Sequence, residues 1–321
     1  MEGANKILRV AVIGAGGVGG YFGARWAEAG LDVTLLARGA HLQAIVSKGL
    51  FLHSPLGDAH VNVPAVASAS EVGEVDVVVV ATKSWQLHSL ADVVEPLVGP
   101  NTIVFGLQNG VEAIDILTTF VPPSCVLGGT CRIISLIERP GVIRHVGIEP
   151  TLTIGELTGK SSTPIKFAAE VLDKAKGLTV EITDDIDVEL WQKFLFLAPV
   201  SGLGSITQAP IGVFRSLRES RSLLVRAVEE VFNLAKAKGV GLPPESVEQT
   251  LQFIDGLPAD GTSSLQRDFQ DGVRTELEAL SGAVVRQAAE AGIPVPIHTF
   301  FYSALLPLDL KAQGSIEWPE D

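Results

Sequence analysis

Two kinds of hydrophobic spacing divide the 321-residue chain. Up to about residue 184, short apolar runs alternate with segments of helical spacing. Residues 7–13, 33–36, 76–81 and 102–105 read as strands. The run at 76–81 (DVVVVA) is apolar almost throughout, as in a parallel sheet covered on both faces. Helical spacing occupies 18–29, 85–95 and 111–120. The apolar runs then shorten, at 133–137, 142–146 and 152–154, and suggest an antiparallel extension. A helix at 165–175 and a strand at 179–182 close this half. The rhythm predicts an α/β domain with a Rossmann-type, doubly wound sheet over residues 1–184. From residue 186 the spacing is helical, at 186–198, 217–238, 244–254, 265–291 and 297–310. Gly239, Gly241 and Pro243 mark one break, and Gly292 and Pro294 another. An all-α domain is expected over 185–321.

The first strand gives way to the first helix at a cluster of glycines. Gly14, Gly16 and Gly19 form G-x-G-x-x-G in the strand–turn–helix context the motif requires. The first glycine permits a tight turn, the second lets backbone amides reach a pyrophosphate, and the third lets the helix lie on the strand. Gly14, Ala15, Gly16, Gly17, Val18 and Gly19 are therefore the expected phosphate-binding residues, at the positive end of the helix. Folds of this kind that take NAD carry an acid at the end of the second strand, for the ribose 2′-hydroxyl. Here that strand ends in Ala37-Arg38, and Asp32 stands at its start. A guanidinium pairs with a 2′-phosphate through charge-assisted hydrogen bonds. The expected cofactor is NADP(H).

The charge balance narrows the partners. A net charge of −13 disfavours non-specific binding to nucleic acid or an anionic membrane. Anionic ligands would need a local field from the few cations near them. No apolar run reaches the roughly 18 residues of a membrane span. The N-terminal apolar run leads into the glycine cluster rather than a cleavage site, so a soluble, cytoplasmic protein is expected. Cys125 and Cys131 read as small buried hydrophobes. The six histidines form no pair at metal-ligand spacing, and no metal is expected.

Five blocks stand out: the glycine block VIGAGGVGGYFGARWAEAGLDVTLLARGAHL, ATKSWQ at 81–86, QNGVE at 108–112, ELWQKF at 189–194, and the long block from Thr262 to Pro296. Together they resemble the ketopantoate reductase (2-dehydropantoate 2-reductase) family. The resemblance spans nearly the whole chain. It implies hydride transfer from NADPH to the C2 ketone of a 2-oxo acid, giving the 2-hydroxy acid, as in pantothenate and coenzyme A synthesis. It also implies roles for particular residues. Lys193 falls on the proton donor, Glu276 on its catalytic partner, and Ser264 on the serine that holds the substrate carboxylate. Lys83 and Asn109 fall on cofactor-binding positions, and Asn109 on a substrate position as well.

Local chemistry can be set beside those roles. Lys193 lies among Leu190, Trp191, Phe194, Leu195 and Phe196, on a segment apolar nearly all round. A desolvated amine is a good general acid and polarises a ketone. A lysine that snorkels to solvent fits the same local pattern. Glu276 flanks a stripe of Leu265, Phe269, Val273, Leu277, Leu280 and Val284, with Gly272 one turn before it. Local sequence favours a solvated glutamate on a helix face there, and only the matched block reverses that. Lys83 and Asn109 follow strands at the carboxyl edge, where open α/β sheets bind ligands. Ordinary turn chemistry is the other reading. Arg132 is an additional cation near that edge, without an assigned role.

Three positions depart from the family pattern. Its asparagines four and eight residues after the lysine are Leu197 and Ser201 here, and Gly261 stands three residues before Ser264 in place of another. Ser201 keeps a hydroxyl for the substrate, while Leu197 makes that wall more apolar. The expected substrate is ketopantoate or a less polar 2-oxo acid. An NADP(H)-binding sensor without turnover would have no use for Lys193, Glu276 and Ser264. The long helices suit either a monomer or a homodimer.

Overall fold

The computed structural model describes residues 7–319. In chain order it forms β1 (Arg9–Ile13), α1 (Gly17–Glu28), β2 (Asp32–Leu36), α2 (Gly39–Lys48), β3 (Leu50–His53), β4 (Ala59–Val61), β5 (Ala65–Val66) and β6 (Val75–Val80). Next come α3 (Ala91–Val94), β7 (Val98–Gly106), α4 (Ala113–Leu117), β8 (Val126–Arg132), β9 (Ser135–Arg139), β10 (Val142–His145), β11 (Thr151–Glu156), α5 (Thr163–Leu172) and β12 (Thr179–Thr183). The remainder is helical: α6 (Ile186–Thr207), α7 (Ile211–Ser216), α8 (Arg218–Ala237), α9 (Ser246–Gly256), α10 (Ser264–Gln270), α11 (Ala283–Ala291) and α12 (Pro296–Ala312). The chain divides into two compact units. One runs to Gln108 and resumes over Ala113–Ile186; the other comprises Asn109–Glu112 and everything from Asp187 on.

The first unit is built on a main sheet of order β12-β11-β8-β7-β6-β1-β2-β5. All its pairs are parallel except β8 with β11. The alternating side chains of a central strand serve two separate cores. Val10 and Val12 of β1 and Val77 and Val79 of β6 pack on one face. Ala11 and Ile13, Val78 and Val80 pack on the other. A strand buried on both faces has no polar positions to alternate, which is why these runs are continuously apolar.

A second sheet, β4-β3-β10-β9, lies over α1, so that helix is covered on two sides. This accounts for more glycines than the phosphate motif needs. A Cβ on Gly19 would come 2.1 Å from the Gly14 carbonyl, and one on Gly23 would come 2.6 Å from Leu35, both on the main-sheet side. A Cβ on Gly17 would meet the Ser135 carbonyl at 2.4 Å, and one on Gly20 would meet Ile143 at 2.8 Å, on the other side. Two larger residues secure the arrangement: the Tyr21 hydroxyl donates to the Gly177 carbonyl and the buried Arg25 donates to the Gly57 carbonyl at 2.6 Å.

Several expectations are corrected. Residues 37–74 carry α2 and three strands that the apolar pattern does not reveal, because β4 and β5 are three and two residues long. The 133–154 region does pair antiparallel, but it divides between the two sheets: β9 with β10 in the second, β8 with β11 in the main one. The helix expected at 85–95 is a pair of 3-10 turns around α3, where the Ser89 hydroxyl donates to the Gln86 carbonyl. The single helix expected at 265–291 is broken. Gly272, at φ +65°, ends α10. The Val273 amide donates to Asp268 and the Gly272 amide to Phe269, which is a Schellman termination. The chain is then irregular to Leu277 and re-enters α11 through a π-helical turn, Glu278–Gly282. Gly272 is therefore a helix stop rather than a gap on a helix face before Glu276. Both cysteines are free and buried.

The second unit packs α6, α8, α11 and α12 around an apolar core that includes Phe194, Leu195, Val228, Val231, Val284 and Phe301. A carboxylate is built into it. Glu230 of α8 accepts the amides of Ile297 and His298, at 2.8 and 3.0 Å, and thereby caps the first turn of α12. It also pairs with the His298 ring at 2.9 Å. Burial alone would raise the Glu230 carboxyl, but these hydrogen bonds hold it below the usual range. Burial lowers His298 and outweighs the pull of Glu230. The pair is thus a carboxylate beside a neutral imidazole.

Both shifts make the unfolded chain bind more protons, so stability should fall on acidification. The His298 contribution fades first, below its ordinary value of 6.5, and that of Glu230 below 4.5. Glu230→Gln should cost about 2–3 kcal/mol at pH 7, a difference that shrinks below pH 4.5. Urea unfolding from pH 7 to pH 4 checks this, and a pH-independent difference would contradict it.

Candidate active site

In the first unit the candidate site is the carboxyl edge of the main sheet between β6, β1 and β2. β1 leads through α1 to β2 on one side, while β6 flanks it on the other. Strand order reverses at this point, which is where open α/β sheets bind ligands. The Gly14 and Ala15 amides donate to the Leu36 carbonyl, at 3.0 and 3.2 Å, and fix the turn. Gly14 has φ +96°, and a Cβ there would lie 3.0 Å from Thr82. The amides of the first turn of α1, at Gly17, Val18 and Gly19, have no helical acceptors. Gly16 caps the helix, and a Cβ on it would meet nothing within 4 Å. Protein packing does not require glycine at this position, so the space above the helix end is left to a ligand. That observation fits a dinucleotide phosphate.

Two cations flank the turn. Arg38 follows β2 and is exposed, at the start of α2; its side chain makes no hydrogen bond or ion pair with the described residues. Lys83 follows β6 and is half-buried. Asp32 lies at the opposite edge of β2, 3.7 Å from Arg9. No acid among the described residues therefore pairs with Arg38. Two supporting residues escape the sequence pattern. Gln108, buried, donates through Nε2 to the carbonyls of Val80 and Thr82, at 2.9 and 3.1 Å, and holds the β6 edge in place. It stands in the QNGVE block, but only its neighbour carries a recognisable role. His41 of α2 accepts the Gly141 amide at 3.1 Å. Burial lowers its pKa more than the nearby Ala15 carbonyl raises it, so a neutral ring lies beside the phosphate turn.

In the second unit, the short run Asn109–Glu112 is docked on the segment that carries Glu276. Asn109 Nδ2 donates to Glu276 Oε2 at 3.2 Å. Arg286 and Gln287 donate to the Glu112 carboxylate at 3.0 and 3.3 Å. A Cβ on Gly110 would come 2.7 Å from the Ala279 carbonyl. Glu276 is 5% exposed and lies in the irregular stretch rather than on a helix face. Its burial excludes the solvated reading.

Lys193, Leu197 and Ser201 recur at i, i+4 and i+8 along α6 and so share a face. Lys193 and Leu197 are half-buried, and Ser201 is completely buried with no hydrogen-bond partner for its hydroxyl. Of the adjacent serines, Ser263 caps α10 by accepting the Gln266 amide at 3.1 Å. Ser264, the first residue of that helix, is half-buried and its hydroxyl bonds no described residue. Arg132 is exposed at the end of β8. No helix among the described residues is long and apolar enough to cross a membrane.

A phosphate-binding turn on a parallel sheet, followed by a helical unit presenting a lysine and a buried carboxylate, defines a dinucleotide-dependent oxidoreductase. The chain belongs to the ketopantoate reductase family: residues 10–159 match Ketopantoate reductase PanE/ApbA, and residues 185–308 match its C-terminal region. The 2-dehydropantoate 2-reductase of Halobacterium salinarum is 32% identical over 90% of this chain and 95% of its own. The uncharacterized oxidoreductase YkpB of Bacillus subtilis is 28% identical over 93% and 98%. The crystal structure of a PanE/ApbA family ketopantoate reductase from Ralstonia eutropha JMP134 superposes with a TM-score of 0.87 at 31% identity, covering 95% of this chain and 100% of that one.

Two glycines separate ligand binding from folding. Gly16→Ala should leave thermal stability within about 0.5 kcal/mol and weaken dinucleotide binding at least tenfold. Gly19→Ala should destabilise by about 1–3 kcal/mol through overpacking. Melting curves and a fluorescence titration check both; undiminished binding by Gly16→Ala would contradict the assignment.

Proposed function

We propose that the chain catalyses NADPH-dependent reduction of a 2-oxo acid to the 2-hydroxy acid, with ketopantoate as the leading substrate. One observation carries this reading: Asn109 and Glu276, 167 residues apart and nominated by separate sequence blocks, are hydrogen-bonded to each other. The names of relatives such as that of Halobacterium salinarum point the same way.

When bound, the cofactor supplies the hydride that becomes the hydrogen on C2. The chain's own residues do the rest. The amides from Gly16 to Gly19, with Gly14 and Ala15 shaping the turn, hold the pyrophosphate. Arg38 pairs with the 2′-phosphate, and Lys83 adds positive charge along the same edge. The Lys193 ammonium donates to the ketone oxygen, stabilises negative charge as it develops there, and delivers the proton that completes the hydroxyl. Glu276 orients the reacting groups. Asn109, held on Glu276, is the amide assigned to cofactor and substrate. The Ser264 hydroxyl binds the substrate carboxylate, and Ser201 lies deeper on the Lys193 face. The low cysteine content and the two buried thiols support a cytoplasmic setting.

A second substrate reading rests on Leu197 and Ser201. Neither supplies the amide that a polar substrate tail would use. Leaving a buried substrate hydroxyl unpaired costs about 1–3 kcal/mol. A less polar 2-oxo acid would avoid that cost, so a graded substrate panel is the informative test.

NADPH consumption with ketopantoate and with 2-oxo acids of decreasing polarity should reveal turnover by at least one of them. Lys193→Ala should lower kcat roughly 100-fold or more, with NADPH binding largely kept. Binding of NADPH without oxidation across the panel would contradict the reductase reading, and near-normal turnover by the variant would remove Lys193 from the mechanism.

A further inference from the structure

We infer that Thr275 and Asp309 are positioning residues for Glu276, forming a buried clamp without which the carboxylate is not held on Asn109. The inference deepens the reading of Glu276 given above and rests on it. Glu276 lies between the Schellman stop at Gly272 and the π-helical turn that begins at Glu278; its carbonyl accepts the Ala279 and Leu280 amides, but the amides of Thr275 and Leu277 have no helical acceptors. Buried amides in such a stretch need acceptors from elsewhere. Asp309, on α12, supplies one. Its Oδ1 accepts both the Thr275 amide, at 2.8 Å, and the Thr275 hydroxyl, at 2.7 Å. That hydroxyl in turn accepts the Leu277 amide at 3.1 Å. The residues on either side of Glu276 are thus pinned to one carboxylate.

The placement of that carboxylate is otherwise unfavourable. Asp309 is 1% exposed, and no cation among the described residues lies within ion-pair distance of it. It stands in the last turn of α12, against the negative end of the helix dipole. Besides Thr275, the one described residue that donates to its side chain is Gln313, through its amide at 2.5 Å. A buried, unpaired carboxylate is costly unless hydrogen bonds compensate it. Most of that compensation comes from Thr275. A small displacement of an acting group is enough to slow catalysis about 100-fold, so the clamp bears directly on rate.

The test compares Thr275→Val, which keeps the shape and loses the hydroxyl, with Thr275→Ser, which restores it. Hydrogen exchange of residues 271–282 in the full chain should be about tenfold faster or more in the valine variant, with near-normal exchange in the serine variant. In the valine variant kcat should fall roughly 10- to 100-fold, with a smaller change in KM and a displaced ionisation limb in the pH profile of kcat; the serine variant should recover both. Asp309→Ala removes the acceptor from the other side, should give the same effects, and serves if Thr275→Val does not fold. Unchanged exchange would overturn the inference. So would faster exchange with unchanged kcat and pH profile, or failure of serine to restore them. Exchange behaving as described, in a protein that reduces no 2-oxo acid, would instead overturn the reductase reading and leave the clamp standing.

Discussion

The close approach of α1 to the backbone on both of its sides is the constraint on which the first unit depends. The helix touches the Gly14 carbonyl on one side and the Ser135 carbonyl on the other, at separations that leave no space for a Cβ. That contact aims the start of the helix across the end of β1. The bare position at Gly16 and the unpaired amides of the first turn then face open space, and a phosphate can approach them at helix-dipole range. Arg38 and Lys83 flank the turn because the strands that precede them flank β1 in the sheet. In a chain of net charge −13, these two cations give an anionic ligand a local reason to bind.

The second unit meets a different problem. It must bury carboxylates in an apolar helical core and keep them useful. Glu230 is offset by the buried Ile297 and His298 amides at the start of α12 and has a structural role. Asp309 is offset by an irregular segment and thereby shapes it. Glu276, buried and bonded to Asn109, is the carboxylate proposed to act. In each case burial raises the cost of the charge, and the donors available decide what the residue can do.

Much of this was legible in the sequence, and the limits are physical. The central strands were readable because burial on both faces leaves an uninterrupted apolar run. The phosphate turn was readable because three glycines at fixed spacing carry separate steric duties. The packing role of Gly17 and Gly20 was not legible, since the residues they meet belong to a second sheet made of strands too short to show a period. The break in 265–291 was hidden because the apolar stripe continues through Val273 and Leu277 although the backbone does not remain helical. Only tertiary bonds from Asp309 reveal why. Lys193 and Glu276 were named from resemblance; local pattern alone left Lys193 balanced against a solvent-facing role and favoured that role for Glu276. The structure makes Glu276 buried and Lys193 half-buried.

The central claim is that this edge of the sheet is built for a phosphorylated nicotinamide nucleotide, with Arg38 as the residue that distinguishes it from the unphosphorylated form. Parallel calorimetric titrations of the unsubstituted protein with NADPH and NADH, at low and at raised salt, address it most directly. The account predicts tighter binding of NADPH, by about tenfold or more for one charge-assisted pair, with the gap narrowing as salt rises. Equal affinities, or a preference for NADH, would contradict it.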